Sequence, residues 1–216
     1  MTHVLRFAVL LALIALAAAP AQADTTYNFT CITNNSATDC GIGQLQLTVT
    51  VGAGPTPGTI RFQFNNAGPA AASITDVYFQ SGGFVTTPLT ITNSSGVNFS
   101  VIAAPGNLPG GAPLGFTTTS QLTADSNPPV QPNGVNPGET LIIVANLSTG
   151  STYADLINAM NGGTIVLGIH VQGFSGGGSE SFVNRPPNVV PEPASMLLFG
   201  TGLAGLAGLV RRRRAA

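Results

Sequence analysis

Apolar and polar residues alternate in short runs through most of the chain. Tyr27, Phe29 and Cys31 share one side of the first run, and Leu45, Leu47, Val49 and Val51 one side of the next. Ile60, Phe62 and Phe64 follow, then Val97, Phe99 and Val101, then Ile165, Leu167, Ile169 and Val171. Successive side chains of a strand point to opposite faces, so this period predicts half-buried β-strands. Segments 76–80, 88–92, 117–123 and 140–147 complete the set. Turn formers such as Gly54-Pro55, Ser94-Ser95-Gly96, Pro109-Gly110-Gly111 and Pro137-Gly138 separate the runs. One helix is expected over 152–160, where Leu156, Ile157 and Met160 form a stripe and Gly162-Gly163 ends it. The whole reads as mainly β: a two-sheet antiparallel β-sandwich with one short helix. No fixed-period repeat is visible, which argues against a solenoid.

The two ends follow a different pattern. Arg6 precedes an apolar stretch of 13 residues, 7–19, which Pro20 interrupts before Ala21-Gln22-Ala23. A positive start, a short apolar run and a small-x-small triplet mark a signal peptide over 1–23, cleaved after Ala23. At the other end an apolar run from Met196 to Val210 leads into Arg211, Arg212, Arg213 and Arg214. A helix over 194–210 has 17 residues, or about 25 Å, the short end of what spans a bilayer. Pro193 suits its first turn, where no amide partner is needed. The positive-inside rule keeps the four arginines cytoplasmic and places the preceding domain outside. Both ends therefore predict one topology: an exported domain over 24–188, followed by a sorting and membrane-anchoring segment over 189–216.

Pro191-Glu192-Pro193, the short span and the terminal arginines occur in that order. This arrangement resembles the PEP-CTERM sorting signal. The resemblance implies that an exosortase, a membrane enzyme, recognises Pro191, Glu192 and Pro193, with Arg211–Arg214 as the stop-transfer cluster. It also implies a membrane-anchored intermediate at the inner membrane, then display at the cell surface or release into an exopolysaccharide biofilm matrix. Segments 134–139 and 168–174 also resemble stretches of other PEP-CTERM ectodomains without assigned activity. Gly200, Ala204 and Gly208 form a small-xxx-small stripe in the span, read here as the ordinary Gly/Ala richness of such tails.

Charge narrows the partners. Charged residues are 7% of the chain, against about 25% in an ordinary soluble protein. The 24–188 segment holds seven acids, no Lys, and only Arg61 and Arg185 as bases. Such a domain lacks the basic footprint that neutralises phosphates, which excludes nucleic acid as a partner. Cys31 and Cys40 are the only cysteines. In an oxidising compartment this pair reads as a disulfide stapling the first hairpin, with a metal site as the weaker alternative.

Candidate chemistry is thin. Gly173-Phe174-Ser175-Gly176-Gly177 matches the G-x-S-x-G elbow of esterases, and His170 lies nearby. The elbow needs a strand before it and a helix after it, with the catalytic base later in the chain. Here another short strand follows and no His does, so the segment is read as a hairpin turn. Alternation places His170 on the polar, solvent side of its strand. A lone exported His closes off most zinc sites. Asp125 with Asn127, or Glu180 with nearby carbonyls, would suit calcium, but without a supporting motif these acids are read as exposed. Tyr27, Tyr78 and Tyr153 are the only tyrosines and Trp is absent, a poor basis for a sugar-stacking platform. The expectation is a non-enzymatic surface or matrix protein with no catalytic residue, metal or cofactor. An extracellular polysaccharide-binding module, calcium-assisted, is the alternative. Ice binding through the Thr-rich 86–92 stretch is a third and weaker reading.

Overall fold

The computed structural model describes residues 23–80, 82–102 and 107–184. Ten strands form one antiparallel sheet: β1 (Thr25–Cys31), β2 (Leu47–Ala53), β3 (Thr59–Asn66), β4 (Ser73–Phe79), β5 (Val85–Asn93), β6 (Phe99–Val101), β7 (Thr123–Ser126), β8 (Thr140–Leu147), β9 (Leu167–Gln172) and β10 (Glu180–Asn184). Their spatial order is β5-β8-β3-β2-β1-β10-β9-β4-β7-β6. Three helices join them: α1 (Ala37–Gln46), α2 (Val130–Asn133) and α3 (Tyr153–Asn161).

The mainly β, antiparallel expectation holds, but the two-sheet sandwich does not. The first half of β1 pairs with β2, through Thr25–Val51 to Asn28–Thr48. Its second half pairs with β10, through Phe29–Asn184 to Cys31–Phe182. One strand thus carries both halves of the sheet, which curls into a nearly closed barrel. The edges β5 and β6 meet at one point, where Asn93 Nδ2 donates to the Phe99 carbonyl and Asn93 Oδ1 accepts from the Phe99 amide. Alternation cannot distinguish this from a sandwich, because both bury every second residue.

The period-two reading succeeds where one face is wet. In β3, Ile60, Phe62 and Phe64 are buried while Arg61 and Gln63 are less so, and Leu141, Ile143 and Ala145 of β8 repeat this. Phe79 meets Phe62 and Phe64 edge to face, with centroids 4.9 and 6.4 Å apart, a preferred aromatic geometry. Strand β4 is different, being buried along its whole length. Its inner face lines the barrel, whereas Tyr78 on the outer face joins a second apolar cluster with Leu108 and Phe116. Gly168 makes this cover possible, since a Cβ there would sit 2.6 Å from Leu108 Cδ2.

Several expected elements shift. The 152–160 helix is present as α3, opened by a capping box between Thr152 and Asp155. Leu45 does not lie on a strand with Leu47; it is 89% exposed, near the end of α1. Helix α1 was not foreseen, because Gly41 and Gly43 lower its propensity. Tertiary packing overrides this: a Cβ on Gly43 would lie 2.2 Å from Cζ of the buried Phe182, so only glycine lets the helix rest on that ring. Segment 117–123 is no strand but a loop and a 3-10 turn leading into β7. Val97 and Ile165, expected within strands, are buried just ahead of β6 and β9.

Candidate functional site

Three strand registers build one polar row on the outside of the barrel. Asp76 of β4 stands opposite Asp125 of β7. On its other side Asp76 stands opposite His170 of β9, which in turn faces Ser181 of β10. A bulge makes this row. The register shifts between Ile74 and Asp76, so two residues of β4 oppose one of β9. The extra residue turns Ile74 into the core while sending Asp76 outward. Buried Thr75 fixes the bulge, its Oγ1 2.9 Å from Asp76 Oδ2 and 3.3 Å from the His170 carbonyl.

The cleft above this row has a volume of about 320 Å³ and is lined by Asp76, Tyr78, Asp125, His170 and Gln172, with Pro109 and Val130 as apolar walls. Asp76 is buried, and its pKa is pushed up to about 8, first by burial and then by the adjoining Asp125 carboxyl, with Thr75 opposing. Like charges directly opposite on neighbouring strands repel, so the pair holds a proton near neutrality. Burial drives the His170 pKa down, against the charge of Glu180, and keeps the ring neutral. Its Nδ1 lies 3.1 Å from Ser181 Oγ. Burial, then the two aspartates, pushes the Tyr78 phenol up, so it keeps its proton. The Tyr78 hydroxyl is buried and has no hydrogen-bond partner among the described residues.

A pH dependence follows. The folded pKa of Asp76 lies above its unfolded value, so the folded state holds the extra proton between about pH 4 and pH 8. The stability this contributes is lost as pH rises towards about 8. His170 acts in the opposite sense, because its depressed pKa makes acidification destabilising, but that effect is confined to the acid side of neutrality. Between pH 7 and 9 the wild type is expected to lose about 1 kcal/mol. Asp76→Asn should flatten that slope in urea titrations at the two pH values.

The acids expected to be exposed are placed differently. Glu180 is fully buried. Its Oε1 accepts from the Ser36 amide at 2.6 Å and its Oε2 from the Asn35 amide at 3.1 Å. The Thr33 hydroxyl also donates to Oε2, and accepts from the Ser181 amide. These contacts hold the turn that opens α1 beside the disulfide. Cys31 and Cys40 are joined, with Cα atoms 5.4 Å apart. The bridge ties the end of β1 to helix α1, rather than stapling a hairpin. Asn127 bonds Asn98 and Ser100, and makes no contact that would pair it with Asp125 in a shared site.

His170 is half-buried in the cleft rather than facing solvent. Ser175 is exposed in the turn between antiparallel β9 and β10, with Gly173 and Gly177 at φ 73° and 78°. The strand–helix context of an esterase elbow is absent there. The Thr-rich strand β5 has a register shift between Thr86 and Thr90, which breaks the regular threonine array that ice binding needs. The aspartate pair was missed because the bulge has no sequence signature. The available signal was an acid, Asp76, within an otherwise apolar strand.

The sorting residues Pro191, Glu192 and Pro193, the cluster Arg211–Arg214, the 194–210 span and Ala21 lie outside the described residues. Ala23, at the expected cleavage site, is exposed, and its carbonyl accepts from the Tyr153 hydroxyl at 3.0 Å. Among the described residues no helix is long and apolar enough to cross a membrane.

Residues 189–214 match the family model of the PEP-CTERM protein-sorting motif. The chain thus carries this sorting signal, the mark of an exported protein handled by an exosortase and processed at the membrane on its way to the cell surface. No curated protein and no solved structure matches it.

Proposed function

We propose that this protein is a non-enzymatic component of the cell surface or biofilm matrix, delivered by cleavage of its signal peptide at Ala23 and by exosortase action at Pro191-Glu192-Pro193. The observation that carries the proposal is the sorting motif at 189–214. It is supported by the character of the domain ahead of that motif: Lys-free, acidic, closed by a disulfide, with its one Ser motif in a hairpin turn. On this reading the apolar 194–210 stretch is what holds the chain in the membrane until the motif is processed.

Replacing Pro191, Glu192 and Pro193 by alanine tests the delivery step in the native host. The variant is expected to accumulate in the membrane fraction and to disappear from the surface and the medium. An unchanged distribution contradicts the role of the motif. An esterase activity abolished by Ser175→Ala would contradict the non-enzymatic reading.

Polysaccharide binding is the second reading, favoured by the polar lining of the Asp76–Asp125 cleft. Against it, the large apolar side chains exposed among the described residues are Leu45, Ile102 and Leu114, none of them aromatic. A sugar-stacking surface needs an exposed ring. Retention of the protein on a glycan array would reverse the ranking.

A further inference from the structure

We propose that the cleft over β4, β7 and β9 is a calcium site, with the Asp76 and Asp125 carboxylates as ligands and the Tyr78 hydroxyl hydrogen-bonded to an ion-bound water. Two observations carry this independently. First, the register sets Asp76 directly opposite Asp125 on adjacent strands, and both line the cleft. The bulge at Thr75 creates that placement, since unbroken alternation would put Ile74 and Asp76 on the same face. Second, the Tyr78 hydroxyl is buried, lines the same cleft and is unpartnered. A buried hydroxyl left without a partner is unfavourable. A water held by a cation at the two carboxylates supplies the missing partner.

The surroundings favour a cation. The titratable groups on the strands facing the pair are Tyr78 and His170, both neutral at pH 7, and the walls Pro109 and Val130 carry no charge. Arg61, the one base among the described residues, is paired with Asp24 at 2.5 Å and is not among the lining residues. Among the described residues no Arg or Lys therefore neutralises Asp76 and Asp125. Calcium fits better than magnesium, because it accepts irregular oxygen shells and the open cleft leaves positions for water and for the Gln172 side-chain carbonyl. Two carboxylates in an open site place the affinity in the range of extracellular modules, about 0.1–1 mM. The inference does not rest on the sorting signal, so it stands or falls separately from the proposed delivery.

Calorimetric titration of the full chain with calcium chloride at pH 7.5 tests it. The expected result is one ion per chain with a dissociation constant of about 0.1–1 mM. Asp125→Asn should weaken binding at least tenfold. Tyr78→Phe, which keeps the packing against Leu108 and Phe116, should weaken it by a smaller factor while the fold is unchanged by circular dichroism. Absence of saturable binding at 10 mM calcium (roughly ten times the weakest expected constant), or binding unaffected by both substitutions, overturns the proposal. If Asp125→Asn fails to fold, Tyr78→Phe alone decides: unchanged affinity rejects the site and reduced affinity supports it.

Discussion

Replacing Glu180 by alanine is expected to destabilise the protein by about 3 kcal/mol, because one buried carboxylate serves three donors at once. The Asn35 and Ser36 amides and the Thr33 hydroxyl all end on it. Hydrogen bonds to an ionised acceptor are each worth about 1.5–3 kcal/mol, and losing the acceptor strands the donors. Rehydration of the turn, where Asn35 is exposed, recovers part of the loss and keeps the total below the sum. Glu180→Gln preserves the shape but presents an N–H where acceptors are needed, so it should cost less than alanine and still more than a surface change. Urea unfolding monitored by tyrosine fluorescence measures both. A shift under about 0.5 kcal/mol, the size of an ordinary surface substitution, would show that the turn does not depend on the carboxylate.

The second large effect belongs to the disulfide beside it. Cys31 and Cys40 are nine residues apart in sequence, and closing a loop of that size stabilises by about 2–3 kcal/mol in the chain-entropy account. Cys31→Ala with Cys40→Ala should therefore lower stability by that amount. The same region is held from the other side by Glu180, so the two perturbations share a structure. They are expected to be non-additive, since either one alone loosens the β1–α1 junction. A double-mutant cycle comparing Glu180→Ala in the bridged and unbridged backgrounds reads this coupling directly. Strict additivity would mean that bridge and carboxylate hold separate parts of the chain.

The sequence was most informative where one physical rule acted alone. Residues 140–147 form a short apolar run bounded by Pro137-Gly138, and β8 occupies them to the residue. The stripe of Leu156, Ile157 and Met160 with Thr152 ahead of it defined α3, because cap and period agree. Reading failed where tertiary contacts overruled local preference. Helix α1 carries two glycines, one of which exists to admit the Phe182 ring, and no local pattern announces such a contact. Closure failed for a related reason, because the switch of β1 from β2 to β10 is a pairing choice that alternation does not encode.

The cleft shows the same limit. Along the chain Asn127 is the candidate oxygen-bearing partner for Asp125, whereas the register supplies Asp76 from across the sheet. Glu180 looked like a solvent-facing acid in a polar segment, yet it lies beneath the turn at 33–36 as an internal acceptor. Burial of an acid depends on what folds over it, and here the cover is distant in sequence. The sorting motif was legible by contrast because it is linear: three residues, an apolar span and an arginine run, in order.

Export with processing at both ends, as proposed, is tested most directly by the intact mass of the protein recovered from each fraction of its native host. The expected species, at the surface or in the medium, lacks the first 23 residues and also the segment after the Pro-Glu-Pro motif. A chain that keeps its tail and stays wholly in the membrane fraction would contradict exosortase processing and leave a simple single-span anchored protein.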